Sequence, residues 1–163
     1  MLTLKQVNAD SFEMPALTAL MERAFPANER MPMDVLLSRA GSDMLAILED
    51  GAFRGFINLL TRRDICHILF FAMEEDSRSR GLGTRTLALV RELKPGLRLI
   101  ADLEAPEEGA PNAAQRLSRW RFYRRCGYEE TGVTYRWRGE RYAILSSGGQ
   151  VTDEEFWQFW NEW

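Results

Sequence analysis

Three arginines, Arg78, Arg80 and Arg85, stand around Gly81 and Gly83, directly after the apolar run from Ile68 to Phe71. The run predicts a buried strand that turns polar at Glu74. Behind the glycines, Leu82, Thr86, Leu87, Leu89, Val90 and Leu93 predict a helix ending near Lys94, with Pro95-Gly96 as its stop. A strand passing through a glycine turn into a helix aims backbone N–H groups at whatever sits in the turn. The helix start carries roughly half a positive charge, and a residue without Cβ lets an anion approach the backbone. With guanidinium groups beside it, the turn is built to hold phosphate.

Two known phosphate cradles are excluded by position. A dinucleotide-binding turn needs a third glycine where Thr86 stands, and a P-loop needs Gly-Lys-Ser/Thr at the end of the turn, which this chain lacks. Arg78-x-x-Gly81-x-Gly83 after an apolar strand instead resembles the pyrophosphate loop of the GNAT acetyltransferase superfamily, which holds acetyl-coenzyme A. Two later segments resemble the same family in the same order. Leu103-Glu104 ends the next strand, and Phe122-Tyr123-Arg124-Arg125-Cys126-Gly127-Tyr128 follows it. The resemblance covers residues 68 to 130.

The resemblance implies both fold and reaction. Phe71, Ala72 and Met73 would contact pantetheine and the acetyl carbonyl through backbone groups, with an N–H near Ala72 or Met73 polarising the carbonyl. Arg78, Ser79, Arg80, Gly81, Leu82, Gly83 and Thr84 would hold the pyrophosphate. An amine would attack the thioester directly. It must first lose a proton, and the departing thiolate gains from a proton donor. By position, Glu104 would be the general base, directly or through water, and Tyr123 the general acid. One departure bears on the substrate: the asparagine such enzymes carry ahead of the tyrosine is replaced by Arg116, with Asn112 as its substitute if the helix starts differently.

The elements that must position these groups follow in chain order. Leu2, Leu4 and Val7 predict a strand. Asp10 or Ser11 would cap a helix carrying Phe12, Leu17, Leu20, Met21, Ala24 and Phe25, and a short helix follows from Asp34 to Leu37. Met44 to Leu48 and Ala52 to Leu60 form a hairpin about Asp50-Gly51, and the strand from Ile65 comes next. Leu97 to Glu104 alternates as a strand. Asn112 to Cys126 reads as a helix facing inward with Leu117, Trp120 and Phe122 or Tyr123, stopped at Gly127. Tyr128 to Trp137 and Tyr142 to Leu145 close as a hairpin. Thr152-Asp153-Glu154-Glu155 is a capping box, ahead of Phe156, Phe159, Trp160 and Trp163 on one helical face. The expected class is α/β (α+β): a single GNAT-like domain over residues 1–163, with a mixed central sheet of about seven strands, flanking helices and an extra C-terminal helix.

Bulk properties narrow the partners. A 163-residue chain with 45% hydrophobic and 28% charged residues can bury a core of its own. A net charge of −3 disfavours a general nucleic-acid role. No apolar run has the length of a membrane span. Cys66 and Cys126 lie far apart in apolar segments without metal-ligand spacing, as reduced core residues of a cytoplasmic protein would. His67, the one histidine, reads as structural, and Glu74 and Glu75 as solvated turn residues. The sequence therefore predicts an N-acetyltransferase using acetyl-CoA, without a metal, on a small-molecule or peptide amine. Its pocket would be framed by the Phe25–Met33 loop, the Ala105–Pro111 loop and the closing hairpin. The alternative is a catalytically silent acyl-CoA-binding module. The aromatic face of the last helix would then serve a partner; in the enzyme it is core packing, a homodimer contact or a lid.

Overall fold

The computed structural model describes residues 1–77 and 80–161. Its elements run β1 (Leu2–Gln6), α1 (Met14–Ala24), α2 (Met33–Ser38), β2 (Ser42–Glu49), β3 (Ala52–Arg62), β4 (Ile65–Met73), α3 (Leu82–Leu93), β5 (Arg98–Glu104), α4 (Ala113–Arg125), β6 (Glu129–Trp137), β7 (Glu140–Ser147) and α5 (Asp153–Asn161). The strands form one seven-stranded sheet ordered β1-β2-β3-β4-β5-β7-β6. This is the expected sheet with the expected extra helix. Contacts divide the chain into a first unit, residues 1–61 and 68–94, and a second, residues 62–67 and 95–163. Strand β4 begins in the second unit and ends in the first.

In the first unit β1, β2 and β3 pair antiparallel, with Leu4 opposite Ile47 and Ala46 opposite Phe56. Asp50 and Gly51 both have positive φ, the backbone hand that a tight hairpin requires. Strand alternation then sorts the core. Met44, Ala46, Phe56, Phe70 and Ala72 pack with Leu17, Leu20, Met21 and Leu36 of α1 and α2. Ile47, Phe71 and Met73 pack on the opposite side with Leu82 and Leu89 of α3. Each fully buried side chain such as Leu17 or Phe56 contributes about 2 kcal/mol. Phe12 corrects the sequence reading: it precedes α1 and is 92% exposed. Asn8 and Ser11 hold residues 8–11 in a turn, with Asn8 N donating to Ser11 Oγ (2.9 Å) and Asp10 N to Asn8 Oδ1 (2.9 Å). The helix therefore starts later, with Pro15 in its first turn.

In the second unit β7 pairs antiparallel with β5 on one side and β6 on the other. A two-residue turn, Arg138 and Gly139, joins β6 to β7 with positive φ at both positions. The β6–β7 register slips between Glu130 and Thr134. There Gly132 has φ +84°, and the Thr131 hydroxyl donates to the Ile144 carbonyl (2.8 Å) while accepting from Val133 N (3.1 Å). Gly127 ends α4 in the left-handed region, and Tyr128 N closes back on the Tyr123 carbonyl (3.0 Å). The capping box forms as read: Thr152 N donates to Glu155 Oε1 and Glu155 N to Thr152 Oγ1, both at 3.1 Å. Phe156 and Phe159 are buried, Trp157 is exposed, and Trp163 lies outside the described residues. No helix among the described residues is long and apolar enough to cross a membrane.

Arg98 ties α5 to the rest of this unit. It grips Asp64 bidentately (3.1 and 3.0 Å), pairs with Glu155 (2.7 Å) and donates to the Gln150 carbonyl (3.0 Å). The hydrogen bond from Arg98, then that from Thr152 N, holds the Glu155 carboxyl down at about 2. A depressed carboxyl stabilises the fold fully above its unfolded value near 4.5 and loses that contribution as pH falls toward 2. Arg98→Gln is therefore expected to flatten the fall of the melting temperature across that interval. An acid-melting curve parallel to the wild type would show that the pair contributes nothing.

Candidate active site

The phosphate turn belongs to the first unit. Met73 ends β4, a single 3₁₀ turn spans Glu75–Ser77, and Gly81 caps α3 at φ +74°, ψ +7°. A Cβ added there would meet nothing within 4 Å among the described residues, so glycine serves the backbone hand of the turn. Gly83 does not bend the chain, as the sequence suggested, but lies inside the first turn of α3. The helical ladder includes Arg85 N on the Gly81 carbonyl (3.1 Å), so Leu82 and Gly83 lie in the first turn, at the positive end of the helix. Arg78 and Ser79 lie outside the described residues.

Arg80 is less available than the sequence implied, because it forms an ion pair with Glu49. Glu49 also accepts from Arg54 (3.2 Å), and Arg80 above all holds its carboxyl below the ordinary range. An incoming phosphate would have to share Arg80 with Glu49. Glu74 is likewise engaged rather than merely solvated: Arg23 meets its carboxylate at 2.8 Å. At the end of β4, Gly55 of β3 lies directly against Ala72 and Met73, where an added Cβ would collide with the Ala72 carbonyl oxygen.

Glu104 and Tyr123 belong to the second unit. Glu104 ends β5, and both its oxygens are engaged, Oε1 by Asn112 Nδ2 (3.2 Å) and Oε2 by Arg116 Nη2 (2.8 Å). Arg116 is buried and also meets Glu140 (2.8 Å), Glu107 (3.4 Å), Asn112 Oδ1 (2.7 Å) and the Ala105 carbonyl (3.4 Å). Three carboxylates thus share one guanidinium. The inward face of α4 is Arg116 and Tyr123, whereas Leu117 is exposed, contrary to the sequence reading. The helix is turned by the arginine's partners, not by its leucine.

Tyr123 packs edge-on against Phe122 and Tyr128 (centroids 5.3 and 5.2 Å). Burial first, and Asp102 in addition, pushes its phenol well above the ordinary value, so the proton stays on the oxygen. The hydroxyl makes no hydrogen bond among the described residues. A second polar group in this unit was not legible in the sequence. Buried His67 meets Asp102 (Nε2 to Oδ1, 3.2 Å), and Tyr135 donates its hydroxyl to Asp102 Oδ2. Burial raises the Asp102 carboxyl, yet the His67 and Tyr135 bonds outweigh it and leave it below its usual value. The available signal was Asp102 itself, a carboxylate inside the alternation of β5.

The sequence model of the acetyltransferase (GNAT) family matches residues 6–128. The chain belongs to the GNAT acetyltransferase family. No curated protein matches it. Solved structures agree on the fold. A GNAT-family protein from Bacteroides thetaiotaomicron superposes at TM-score 0.82 with 17% identity, over 98% of this chain and 94% of its own. An aminoglycoside 6′-N-acetyltransferase complexed with coenzyme A reaches 0.69 at 11% identity, over 89% and 96%. A GNAT acetyltransferase from Elizabethkingia anophelis with acetyl-CoA bound reaches 0.61 at 14% identity, over 90% and 97%. At these identities the likeness concerns the fold, and GNAT membership itself rests on the family match.

Proposed function

We propose that this GNAT protein is a cytoplasmic N-acetyltransferase moving the acetyl group of acetyl-CoA to a primary amine. The observation that carries the reading is the α3 start, where Gly81 in the left-handed region sets the backbone of Leu82 and Gly83 at the positive end of the helix. Backbone groups of Phe71 to Met73 hold the pantetheine arm and polarise the acetyl carbonyl. The amine nitrogen bonds to that carbonyl carbon, the carbon–sulfur bond breaks, and the nitrogen sheds two protons from its ammonium form. One leaves through Glu104 to water, and the other ends on the coenzyme A sulfur, relayed by the Tyr123 hydroxyl, which regains from the nitrogen the proton it passes on. A buried phenol is a weaker acid than a thiol, so Tyr123 acts chiefly by hydrogen-bonding the developing thiolate.

Calorimetric titration with acetyl-CoA tests the cradle. Wild type is expected to bind, and Arg80→Glu combined with Gly81→Glu to lose at least tenfold in affinity. A folded wild type that does not bind would end the reading. Tyr123→Phe tests the acid: with no hydrogen bond lost, stability should stay at the wild-type level while kcat falls about 100-fold. An unchanged kcat would remove Tyr123 from the reaction. A second reading draws on one observation, the engagement of both Glu104 oxygens by Asn112 and Arg116. Glu104 is then a structural anion, and the protein a silent acyl-CoA-binding module. Binding of acetyl-CoA without thiol release across a panel of amines would favour that reading.

A further inference from the structure

The outer side of α5 carries two acids and an indole. Trp157 is 45% exposed, and Asp153 stands one turn before it on the same side of the helix. Glu154 is exposed beside them. Neither acidic side chain makes a hydrogen bond or ion pair among the described residues. From Trp157 the rings run in contact to the tip of the β6–β7 hairpin. Trp157 packs T-shaped on Tyr135 (6.1 Å), Tyr135 stacks on Tyr142 (5.2 Å), and Tyr142 adjoins Trp137 (6.1 Å). Tyr135 is closed in between Tyr142 and Phe156, so the open rings are the two tryptophans at the ends. Trp137 is still 40% exposed beneath Arg138, whose guanidinium lies 4.6 Å from the ring centroid. Arg138 has no ion-pair partner among the described residues, and Arg136 and Arg141 of the same hairpin are exposed.

We propose that this strip is a dimer interface and that its occupant is a second copy of the chain. The strip is acidic at the α5 end, basic at the hairpin end and aromatic between. Such a strip matches itself when turned about a two-fold axis. Arg138 of each copy then meets Asp153 and Glu154 of the other, and Trp137 meets Trp157. Each contact forms twice, and indole and guanidinium are the groups that contribute most at interfaces. A partner of uniform charge would fit one end of the strip and be repelled by the other. The helix dipole accounts for acids at the start of α5, but not for an open indole beside them. Association of this kind is independent of acetyl transfer.

Sedimentation equilibrium of the whole chain at micromolar concentration tests the interface. Wild type should be dimeric. Arg138→Glu should weaken the dimer at least tenfold, and Asp153→Arg combined with Glu154→Arg should do the same. All three side chains are exposed, so these variants are expected to keep the fold, which circular dichroism checks. Mixing the two variants places opposite charges at both contacts again, so an equimolar mixture should return to dimer. Damage within one chain is not repaired by mixing. Trp157→Ala should also dissociate the dimer. A monomeric wild type overturns the proposal, as does a dimer that these variants leave intact or a mixture that stays monomeric.

Discussion

Arg116→Met is expected to lower the free energy of unfolding by about 3 kcal/mol, the scale for removing one partner from a buried ion pair. The guanidinium is 4% exposed and holds Glu104, Glu107 and Glu140 together. Methionine fills much of the volume but leaves three carboxylates repelling one another near the end of β5. Because Glu107 and Glu140 reach water, the loss should lie at the lower end of the buried-pair range. A melting temperature lower by roughly 8 °C is the corresponding signal at this chain length. Acidification should shrink the deficit, since protonation of the carboxyls removes the repulsion. A loss below about 1 kcal/mol in chemical denaturation would show that water screens the cluster.

The second large effect is expected at Gly55. Its added Cβ would collide with the Ala72 carbonyl oxygen and come within 3.0 Å of Met73 Cα and Sδ. Two of these three atoms are backbone and cannot swing aside, so Gly55→Ala must push the end of β4 away from β3. Overpacking of this kind costs about 2 kcal/mol. The displaced residues are those proposed to meet the pantetheine arm, so acetyl-CoA affinity should fall at least tenfold with stability. Gly51→Ala is the control: nothing lies within 4 Å of its Cβ, and only its φ of +84° opposes a side chain. It should cost about 1 kcal/mol and leave affinity unchanged. Wild-type affinity in Gly55→Ala would separate the end of β4 from cofactor binding.

Where local chemistry governs, the sequence was readable. Asp50-Gly51 marked its hairpin, Gly127 its helix stop and Thr152–Glu155 its capping box, because each acts on its own backbone within a few residues. Strand alternation likewise placed β5. What escaped was set by distant partners. Nothing near Leu117 reveals that Arg116 faces inward, since Glu104, Glu107 and Glu140 come from other segments. Helix α4 carries five arginines and little apolar periodicity, so its buried face could not be read from hydrophobicity. The His67–Asp102–Tyr135 group was hidden for the same reason, its members lying on three strands. Arg80 read as a ready phosphate ligand because Glu49, its partner, lies a hairpin away.

The register slip in β6 has a consequence for solubility. Strand β6 is the last in the sheet order, and its outer backbone edge could template pairing with another chain. Two extra residues on β6 bend that edge, and the Thr131 hydroxyl takes the Ile144 carbonyl in place of a regular ladder bond. Exposed Glu129, Glu130 and Arg136 add charge along it. Straightening the edge by shortening the Thr131–Val133 segment would build a flat, continuous rail, and with it a route to strand-by-strand aggregation.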